Sequence, residues 1–233
     1  MNRALRWFVT GTDTEIGKTL VSGALLYALR VAGVDAAGMK PVAAGAVERE
    51  GILQNDDALF LAAAASVHLP AELATPYLLK EAAAPHVAAQ LEQISIDLDH
   101  IVACYEQVAE RSAATVVEGI GGFKVPLSDA FDTADLAAAL GLPVILVVGL
   151  RLGCLNHALL TAAAIAARGL TLAGWVCNVV DVDMVHADRS VEALRSRFSA
   201  PLCGVIPRLF APTAEAAAAH LDFSQLVDWP VRT

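Results

Sequence analysis

The 233-residue sequence has few basic residues, only four cysteines and no C-x-x-C pair. Its 16 lysines and arginines are scattered and its formal net charge is −9. A nucleic-acid groove needs clustered positive charge, so this class of function is disfavoured and small-molecule chemistry is favoured. Cys104, Cys154, Cys177 and Cys203 lie far apart in the sequence, which indicates neither a zinc site nor a disulfide framework. A reducing cytoplasm therefore fits this chain best.

Long hydrophobic runs are also missing, although the mean hydropathy is +0.56. The uncharged stretch at 136–150 is interrupted by Gly141 and Pro143, and it is shorter than the roughly 18 apolar residues that a membrane span requires. The N-terminal stretch MNRALRWFVTG has no long apolar region before a small-residue cleavage site. We therefore predict neither a transmembrane helix nor secretion.

Short apolar runs alternate with longer helical patterns, and 56% of the residues are hydrophobic. The predicted strands are Trp7–Thr10, Ala36–Lys40, Thr115–Glu118, Pro143–Gly149, Leu172–Asn178 and Leu202–Ile206. The predicted helices are Lys18–Ala32, Asp57–Ala65, Ile96–Ser112, Thr133–Leu140, Leu155–Arg168, Val185–Phe198 and Thr213–Leu221. This alternation indicates an α/β fold, with a doubly wound, mainly parallel sheet and helices on both faces. Roughly 200–250 residues suit a single α/β domain, so we expect one domain over residues 1–233.

The stretch FVTGTDTEIGKT near the N-terminus contains the strongest functional signal. A predicted strand is followed by a loop from Gly11 to Gly17 and then by a helix, which is the context of a phosphate-binding P-loop. Lys18 is then expected to contact the β- and γ-phosphates, and the Thr19 hydroxyl to contact Mg²⁺. The spacing departs from G-x-x-x-x-G-K-[ST], because Gly11 lies one residue too early. The pattern predicts a domain of the P-loop NTPase type.

A second strand end supplies a candidate metal ligand. The β-branched run TVVEG ends at Glu118, where P-loop proteins place a Mg²⁺-linked carboxylate at the carboxyl edge of the sheet. Gly119, Gly121 and Gly122 would let the backbone pass close to a bound group. The competing interpretation is a solvated glutamate before an ordinary glycine-rich turn.

Two further segments remain ambiguous by themselves. Lys40 stands before Pro41 at a predicted strand end and could counter phosphate charge, although a lone lysine is more often a solvated edge residue. Asn55 and Asp56 are good N-cap residues for the next helix, and Asp57 could simply favour its dipole.

The order of the motifs is more specific than any one of them. Along the chain they read GTDTEIGKT, KPVAAG, DDAL, VEGIGG, PLSD, LPVILVV, LGCLNHALLT, LAGWVCN and IPRL. Together they resemble the dethiobiotin synthetase family, from about Trp7 to Leu209. The resemblance implies a reaction that joins CO₂ to 7,8-diaminononanoate and closes a cyclic urea, with ATP as co-substrate and Mg²⁺ as cofactor. One amine would form a carbamate, ATP would phosphorylate it to a carbamic-phosphoric anhydride, and the other amine would expel phosphate.

The resemblance also implies roles for individual residues. Lys18 and Lys40 would flank the transferring phosphoryl group as catalytic residues, while Thr19, Asp57 and Glu118 would hold Mg²⁺. The backbone that cradles the phosphates would come from Thr14, Glu15, Ile16 and Gly17, with Gly119 and Gly121 beside the nucleotide. The adenine side would be formed by Asn178, Pro207, Arg208 and Leu209.

The substrate side follows from the same resemblance. The substrate would be bound by Ala44, Leu152, Gly153, Cys154 and Asn156. A helix N-terminus attracts a carboxylate through its unpaired N–H groups, and family members receive the substrate carboxylate there from the partner subunit of a homodimer. Ala44 replaces a serine that is common in the family, and Val179 replaces an aspartate after Asn178, which bears on purine preference. The spacing around Glu215 leaves its match to an adenine-side glutamate open.

Other classes of function remain open on the sequence alone. A partition-type ATPase switch shares this architecture, but its P-loop carries a lysine where this chain has Asp13. A GTPase would need Asn-Lys-x-Asp, and the stretch NVVD lacks the lysine. A non-enzymatic nucleotide-binding module and an amidoligase acting on another acid are the remaining alternatives, and the compounds that stimulate turnover would distinguish them.

Overall fold

A computed structural model describes residues 5–230, and in this range the chain forms ten β-strands and nine α-helices. The strands are β1 (Leu5–Gly11), β2 (Ala36–Met39), β3 (Val42–Ala43), β4 (Val47–Arg49), β5 (Ile52–Gln54), β6 (Tyr77–Leu78), β7 (Ala114–Glu118), β8 (Val144–Leu150), β9 (Leu172–Val179) and β10 (Leu202–Ile206). The helices are α1 (Lys18–Val31), α2 (Asp56–Ala64), α3 (Ala71–Ala74), α4 (Pro85–Leu91), α5 (Leu98–Glu110), α6 (Thr133–Leu140), α7 (Cys154–Ala167), α8 (Ala187–Arg195) and α9 (Ala214–Ala218).

Six of the strands form the central sheet, in the order β10-β9-β8-β1-β7-β2, and all neighbours in it are parallel. The six predicted strands correspond to these six, with small shifts at their ends. Strands β7 and β8 are buried along their whole length, which explains their continuous apolar sequences, since both faces of a parallel sheet are covered.

Helices cover both faces of this sheet, as the alternation of side chains along β1 shows. Phe8 packs into the core that α4, α5 and α6 help to form, whereas Trp7 and Val9 pack with α1, α2 and α9 on the other face. Helices α7 and α8 pack over the far end of the sheet, around Trp175 and Leu194. The predicted α/β fold class, with its parallel sheet and two covered faces, is confirmed.

Of the elements between 42 and 95, only α2 was predicted, and its bounds differ from the predicted Asp57–Ala65 by one residue at each end. Strands β3 and β6 form a two-residue parallel pair, and β4 and β5 form a small antiparallel hairpin. These strands, together with the short helices α3 and α4, are absent from the sequence-based prediction, because two to seven residues are too few to display a hydrophobic period. Helix boundaries also shifted, most at α8, which is shorter at both ends than the predicted Val185–Phe198.

The strand order determines which loops meet. The carboxyl ends of β1, β7 and β2 are neighbours, and they lead into the P-loop, Glu118 and Lys40 respectively. The carboxyl ends of β8, β9 and β10 are also neighbours, and they lead to Arg151, Asn178 and Pro207. Most of the sequence-predicted site residues therefore lie along one edge of the sheet, where ligands bind in open α/β folds.

Candidate active site

The P-loop connects β1 to the N-terminus of α1. Gly17 is the N-cap residue of α1 and has φ 93°, a left-handed conformation that side chains rarely adopt. A Cβ atom at Gly17 would lie 2.3 Å from the Asn178 side-chain nitrogen Nδ2. Ile16 is buried beneath the loop, and the Asn178 Nδ2 donates a hydrogen bond to the Ile16 carbonyl at 2.9 Å. The close approach of Gly17 to Asn178 and this hydrogen bond hold the loop against the end of β9.

Lys18 is buried at the first position of α1. Its Nζ donates to the backbone carbonyl of Asp13 at 2.9 Å, so the loop folds back over its own lysine. Burial, together with the nearby charge of Lys40, lowers the Lys18 pKa to about 8, while Glu118, Asp57 and Asp13 partly oppose this shift. A buried cation with a lowered pKa gains most from an incoming anion such as a phosphate.

A second cluster of charges forms where β2 and β7 end. Lys40 Nζ lies 2.5 Å from Glu118 Oε1 and 3.1 Å from Asp57 Oδ2, and it also donates to the Gly119 carbonyl at 3.2 Å. The Thr19 hydroxyl donates to the same Glu118 Oε1 at 2.8 Å. Lys40 and Glu118 are buried, whereas the Asp57 side chain is about half exposed.

The carboxylates keep Lys40 charged in spite of its burial. Burial alone would lower its pKa, but the charges of Glu118 and Asp57 and their hydrogen bonds more than offset this, so the Lys40 pKa is raised. Lys40 is thus a buried cation fixed by two carboxylates, and the interpretation of Lys40 as a solvated edge residue is wrong.

The donor set of this cluster fits Mg²⁺. Glu118 Oε2 is buried and has no hydrogen-bond partner among the described residues, which leaves a carboxylate oxygen available for a cation. The Thr19 hydroxyl uses its hydrogen toward Glu118, so its lone pairs are free to face a metal. Within residues 5–230 no group of three or more His, Cys, Asp and Glu side chains is arranged for a metal. Mg²⁺ sites in nucleotide-binding proteins usually take one or two carboxylates from the protein and complete the shell with phosphate and water oxygens.

These residues surround a cavity of about 860 Å³. Its lining residues are Thr14, Glu15, Gly17, Lys18, Thr19, Lys40, Ala43, Ala44, Asn55, Asp57, Ala82, Ala83, Ala84, Pro85, Ile120, Gly121 and Val125. The polar groups converge from the P-loop, from β2 and from the start of α2, while the opposite wall is apolar. Such a cavity suits a phosphate-bearing ligand together with a short apolar chain.

Comparison with known proteins identifies the family. A family model described as an AAA domain matches residues 6–216. The ATP-dependent dethiobiotin synthetase BioD of Janthinobacterium sp. (strain Marseille) is 63% identical, over 99% of this chain and 99% of that protein. This chain belongs to the ATP-dependent dethiobiotin synthetase family.

Solved structures share the fold of this dethiobiotin synthetase family member at low sequence identity. The cell division ATPase MinD of Pyrococcus furiosus has a TM-score of 0.57 and 14% identity, over 93% of this chain and 90% of that one. The signal recognition particle receptor FtsY of Elizabethkingia anophelis has a TM-score of 0.55 and 12% identity, over 97% of this chain and 64% of that one. The septum site-determining protein MinD of Pyrococcus horikoshii, complexed with Mg-ADP, has a TM-score of 0.54 and 16% identity, over 94% of this chain and 87% of that one. These similarities show a P-loop NTPase fold.

The residues that the dethiobiotin synthetase resemblance places beside adenine lie next to one another. Asn178 pairs in register with Ile206 of β10, so Pro207 follows directly at the same edge of the sheet. Pro207 and Arg208 are exposed, and Leu209 packs partly against the α1 side of the core. Glu215 accepts a hydrogen bond from the Tyr27 hydroxyl at 2.9 Å.

The residues assigned to substrate in the dethiobiotin synthetase family fall into two places. Ala44 lines the cavity, whereas the residues from Leu152 to Asn156 do not. Gly153 is the N-cap residue of α7, and no side chain caps this helix. The Cys154 side chain is buried in an apolar cluster and its N–H donates to the Arg151 carbonyl at 3.0 Å, so the N–H groups that follow it in the first turn are better placed to bind an anion.

Two features of the site were not predicted from the sequence. Asn55 caps α2, as its sequence suggested, but its Nδ2 also donates to the Ala44 carbonyl at 3.2 Å, and the residue lines the cavity. The apolar wall at 82–85 comes from the segment before α4, where Pro85 at the first helical position was the one available signal.

Proposed function

We propose that this chain is an ATP-dependent dethiobiotin synthetase, which joins CO₂ to 7,8-diaminononanoate and closes a cyclic urea. The observation that carries the proposal is the convergence of Lys18 and Lys40 on one cavity, beside the buried carboxylate of Glu118, in a chain 63% identical to a dethiobiotin synthetase. We propose further that one domain spanning residues 1–233 performs the reaction.

The reaction proceeds through two activated intermediates. One substrate amine adds to CO₂, loses a proton and becomes a carbamate. A carbamate oxygen attacks the γ-phosphorus of ATP, the bond to the β-γ bridging oxygen breaks, and ADP leaves. The second amine then attacks the carbonyl carbon of the carbamic-phosphoric anhydride and loses a proton. The bond from this carbon to the phosphate oxygen breaks, and phosphate leaves as the ring closes.

The protein contributes positioned charge to these steps and no nucleophile. Lys18 and Lys40 flank the phosphoryl group, and they neutralise charge on its equatorial oxygens without having to reorganise. Lys40 is suited to this role because Glu118 and Asp57 hold its Nζ in place. The backbone from Thr14 to Gly17 binds the phosphates.

We propose that Mg²⁺ is bound by the Thr19 hydroxyl, the Asp57 carboxylate and Glu118 Oε2. When bound, the metal withdraws charge from the phosphate oxygens. The Glu118 Oε2 atom, which has no hydrogen-bond partner in the part of the chain that the structure describes, supports this assignment. Asp57 is exposed enough to turn between Lys40 and a metal.

The nucleotide base is expected at the ends of β9 and β10, beside Asn178, Pro207, Arg208 and Leu209. The Asn178 amide nitrogen already donates to the P-loop, and its oxygen is left to accept a hydrogen bond from a purine. Gly119 and Gly121 are proposed to lie beside the nucleotide. Gly121 lines the cavity, and the carbonyl of Gly119 orients Lys40.

The substrate carboxylate is expected at the N-terminus of α7, around Leu152, Gly153, Cys154 and Asn156, with Ala44 contacting the substrate in the cavity. Because this turn does not line the cavity of its own chain, we propose a homodimer in which each turn completes the partner's site.

Exposed apolar side chains support this arrangement. Leu152 is 91% exposed, Leu160 62% and Val185 75%. The Asp181 N–H donates to the Leu150 carbonyl at 3.1 Å, so the loop that leads to Val185 starts beside this turn. Burial of such side chains is a common driving force for association.

The expected location is the cytoplasm. All four cysteines are free and buried, which is compatible with a reducing compartment. Among the described residues, no helix is both long enough and apolar enough to cross a bilayer.

The test of this function is phosphate release from ATP, Mg²⁺ and bicarbonate, with and without 7,8-diaminononanoate, together with mass detection of the cyclic urea. Release that needs the diamine and gives this product supports the proposal. ATP hydrolysis that is indifferent to the diamine would contradict it and favour a switch-type ATPase. Release with another acid or amine would favour a related amidoligase.

A further inference from the structure

An ion pair joins the P-loop to the turn after β8. Arg151 is the first residue after β8, and its Nη2 donates to Asp13 Oδ2 in the P-loop. The two residues are 138 positions apart in the sequence. Each side chain is about two-fifths exposed, so the pair lies at the edge of the site and outside the core.

The ion pair extends a series of contacts between the P-loop and β8. The Thr12 N–H donates to the Val147 carbonyl at 3.0 Å, and the Gly149 N–H donates to the Thr12 hydroxyl at 3.4 Å. Gly149 also permits close approach, because a Cβ there would lie 2.6 Å from Ile16 Cγ2. The start of the P-loop is therefore attached to the end of β8 at several consecutive points, and Asp13 with Arg151 is the last of them.

Both residues also hold local structure that faces a ligand. The Asp13 Oδ1 atom accepts from the Thr14 N–H at 2.8 Å, and the Asp13 carbonyl accepts from Lys18 Nζ. The Arg151 carbonyl accepts from the Cys154 N–H at 3.0 Å and so shapes the turn before α7. One end of the ion pair sets the position of the phosphate-binding lysine, and the other end sets the turn proposed to bind the substrate carboxylate.

We propose that the Asp13–Arg151 ion pair is a positioning device that couples nucleotide binding to diamine binding. This inference rests on the proposed function, which places phosphates at one end of the pair. At the other end it places the carboxylate of the diamine bound in the partner's site, so the coupling runs between the two subunits. A carboxylate at the α7 turn fixes Arg151, Arg151 fixes Asp13, and Asp13 sets the Lys18 ammonium before ATP arrives. Positive coupling follows, because the second ligand meets a site that the first has already ordered.

A role in stability alone does not account for the pair. Half-exposed ion pairs contribute little to the free energy of unfolding, since water screens them. The Asp13 carboxylate binds an arginine of its own chain. The charge at this position therefore serves a contact within the subunit.

The experiment measures the affinity for a non-hydrolysable ATP analogue with Mg²⁺, with and without saturating 7,8-diaminononanoate. It uses the full chain and the variants Arg151→Gln, Asp13→Asn and the double variant. Asp13→Asn keeps an acceptor for the Thr14 N–H and removes the charge. The control is Arg168→Gln, which removes an arginine of similar exposure that pairs with Asp135.

In the unsubstituted chain we expect the diamine to tighten analogue binding by about fivefold or more, within the usual range of coupling between sites. Each single variant should bring this factor close to one, and the double variant should lower it no further. Thermal midpoints should stay close to that of the unsubstituted chain, and Arg168→Gln should keep the full factor.

Three outcomes decide the proposal. Loss of coupling in both single variants, with unchanged thermal midpoints, supports it. If the unsubstituted chain forms the product but the coupling factor is equal in all variants, the positioning role is overturned and the proposed function stands. The same holds if the chain forms the product and shows no coupling at all. Absence of the cyclic urea product in the unsubstituted chain overturns the proposed function, and the positioning role with it.

Discussion

Lys40 Nζ and Glu118 Oε1 lie 2.5 Å apart, in side chains that are both almost fully buried. The two residues are 78 positions apart in the sequence, and they meet because β2 and β7 are neighbours in the sheet. A buried ion pair of this kind is a weak source of net stability, but removal of one partner leaves an uncompensated charge. The pair therefore combines a requirement for folding with the proposed chemistry.

We predict that Lys40→Met destabilises the fold and abolishes product formation. Glu118 would be left charged and buried, at a cost of about 3–5 kcal/mol in the free energy of unfolding. Urea denaturation measures this cost, and mass detection measures the product. The control is Lys124→Met, because the Lys124 side chain is largely exposed and its partner Asp132 keeps the hydrogen bonds from the Ala134 and Asp135 N–H groups. It should cost less than about 1 kcal/mol, and an equal loss for the two variants would contradict the prediction.

A second prediction concerns Gly17 and its contact with Asn178. Gly17→Ala should lose most nucleotide binding, because the new methyl group would displace the Asn178 amide that holds the P-loop. Gly169→Ala is the control, since Gly169 is also left-handed, at φ 70°, and a Cβ there meets nothing within 4 Å. Backbone strain destabilises both variants by about 1–2 kcal/mol. Calorimetric titration with ATP should separate them, and equal affinities would show that the contact is unimportant.

Two substitutions of Asn55 should separate its role as the cap of α2 from its role in the geometry of the site. Asn55→Ala loses the α2 cap and should cost about 1 kcal/mol in the free energy of unfolding. Asn55→Asp keeps an acceptor for the Ala58 N–H but loses the donor to the Ala44 carbonyl and adds a negative charge beside the phosphates. It should therefore fold normally and bind ATP several-fold more weakly. The control is Asp97→Ala, which removes the cap of α5 and should lower stability while leaving ATP affinity unchanged. Normal ATP binding by Asn55→Asp would refute the proposed link between Asn55 and the nucleotide site.

The thiols give a prediction about pH. Burial raises the pKa of Cys177 and of Cys203 to about 12, compared with about 8.5 for a free thiol. At pH 8 both should react with a thiol reagent only after unfolding in guanidinium. Because folding keeps these thiols protonated, their contribution to stability is present below about pH 9 and declines as the pH rises towards 12. Rapid labelling of the native chain at pH 8 would show that the two thiols are accessible.

Several elements were predictable because local patterns are strong. The apolar runs of β7 and β8 indicated buried parallel strands, and the Gly-Lys-Thr after β1 indicated the P-loop. The hairpin of β4 and β5 was not predictable, because its six residues are partly or fully exposed and their sequence resembles an ordinary polar loop. The role of Asn55 was only half predictable, since capping is local while its contact with Ala44 is tertiary.

The ambiguous charged residues show most clearly what could not be predicted from the sequence. The sequence left Lys40 and Glu118 between a solvated and a functional interpretation, because neither burial nor distance can be read from one strand end. It determined the fold class, the phosphate-binding loop and the family, since these follow from hydrophobic period, glycine placement and motif order. The tertiary structure alone decided that Glu118 is buried, with one oxygen that has no hydrogen-bond partner within residues 5–230. It also decided that Lys40 lies against Glu118 and that Arg151 reaches Asp13. These contacts depend on the order of strands in the sheet, which brings together residues that are distant in the chain.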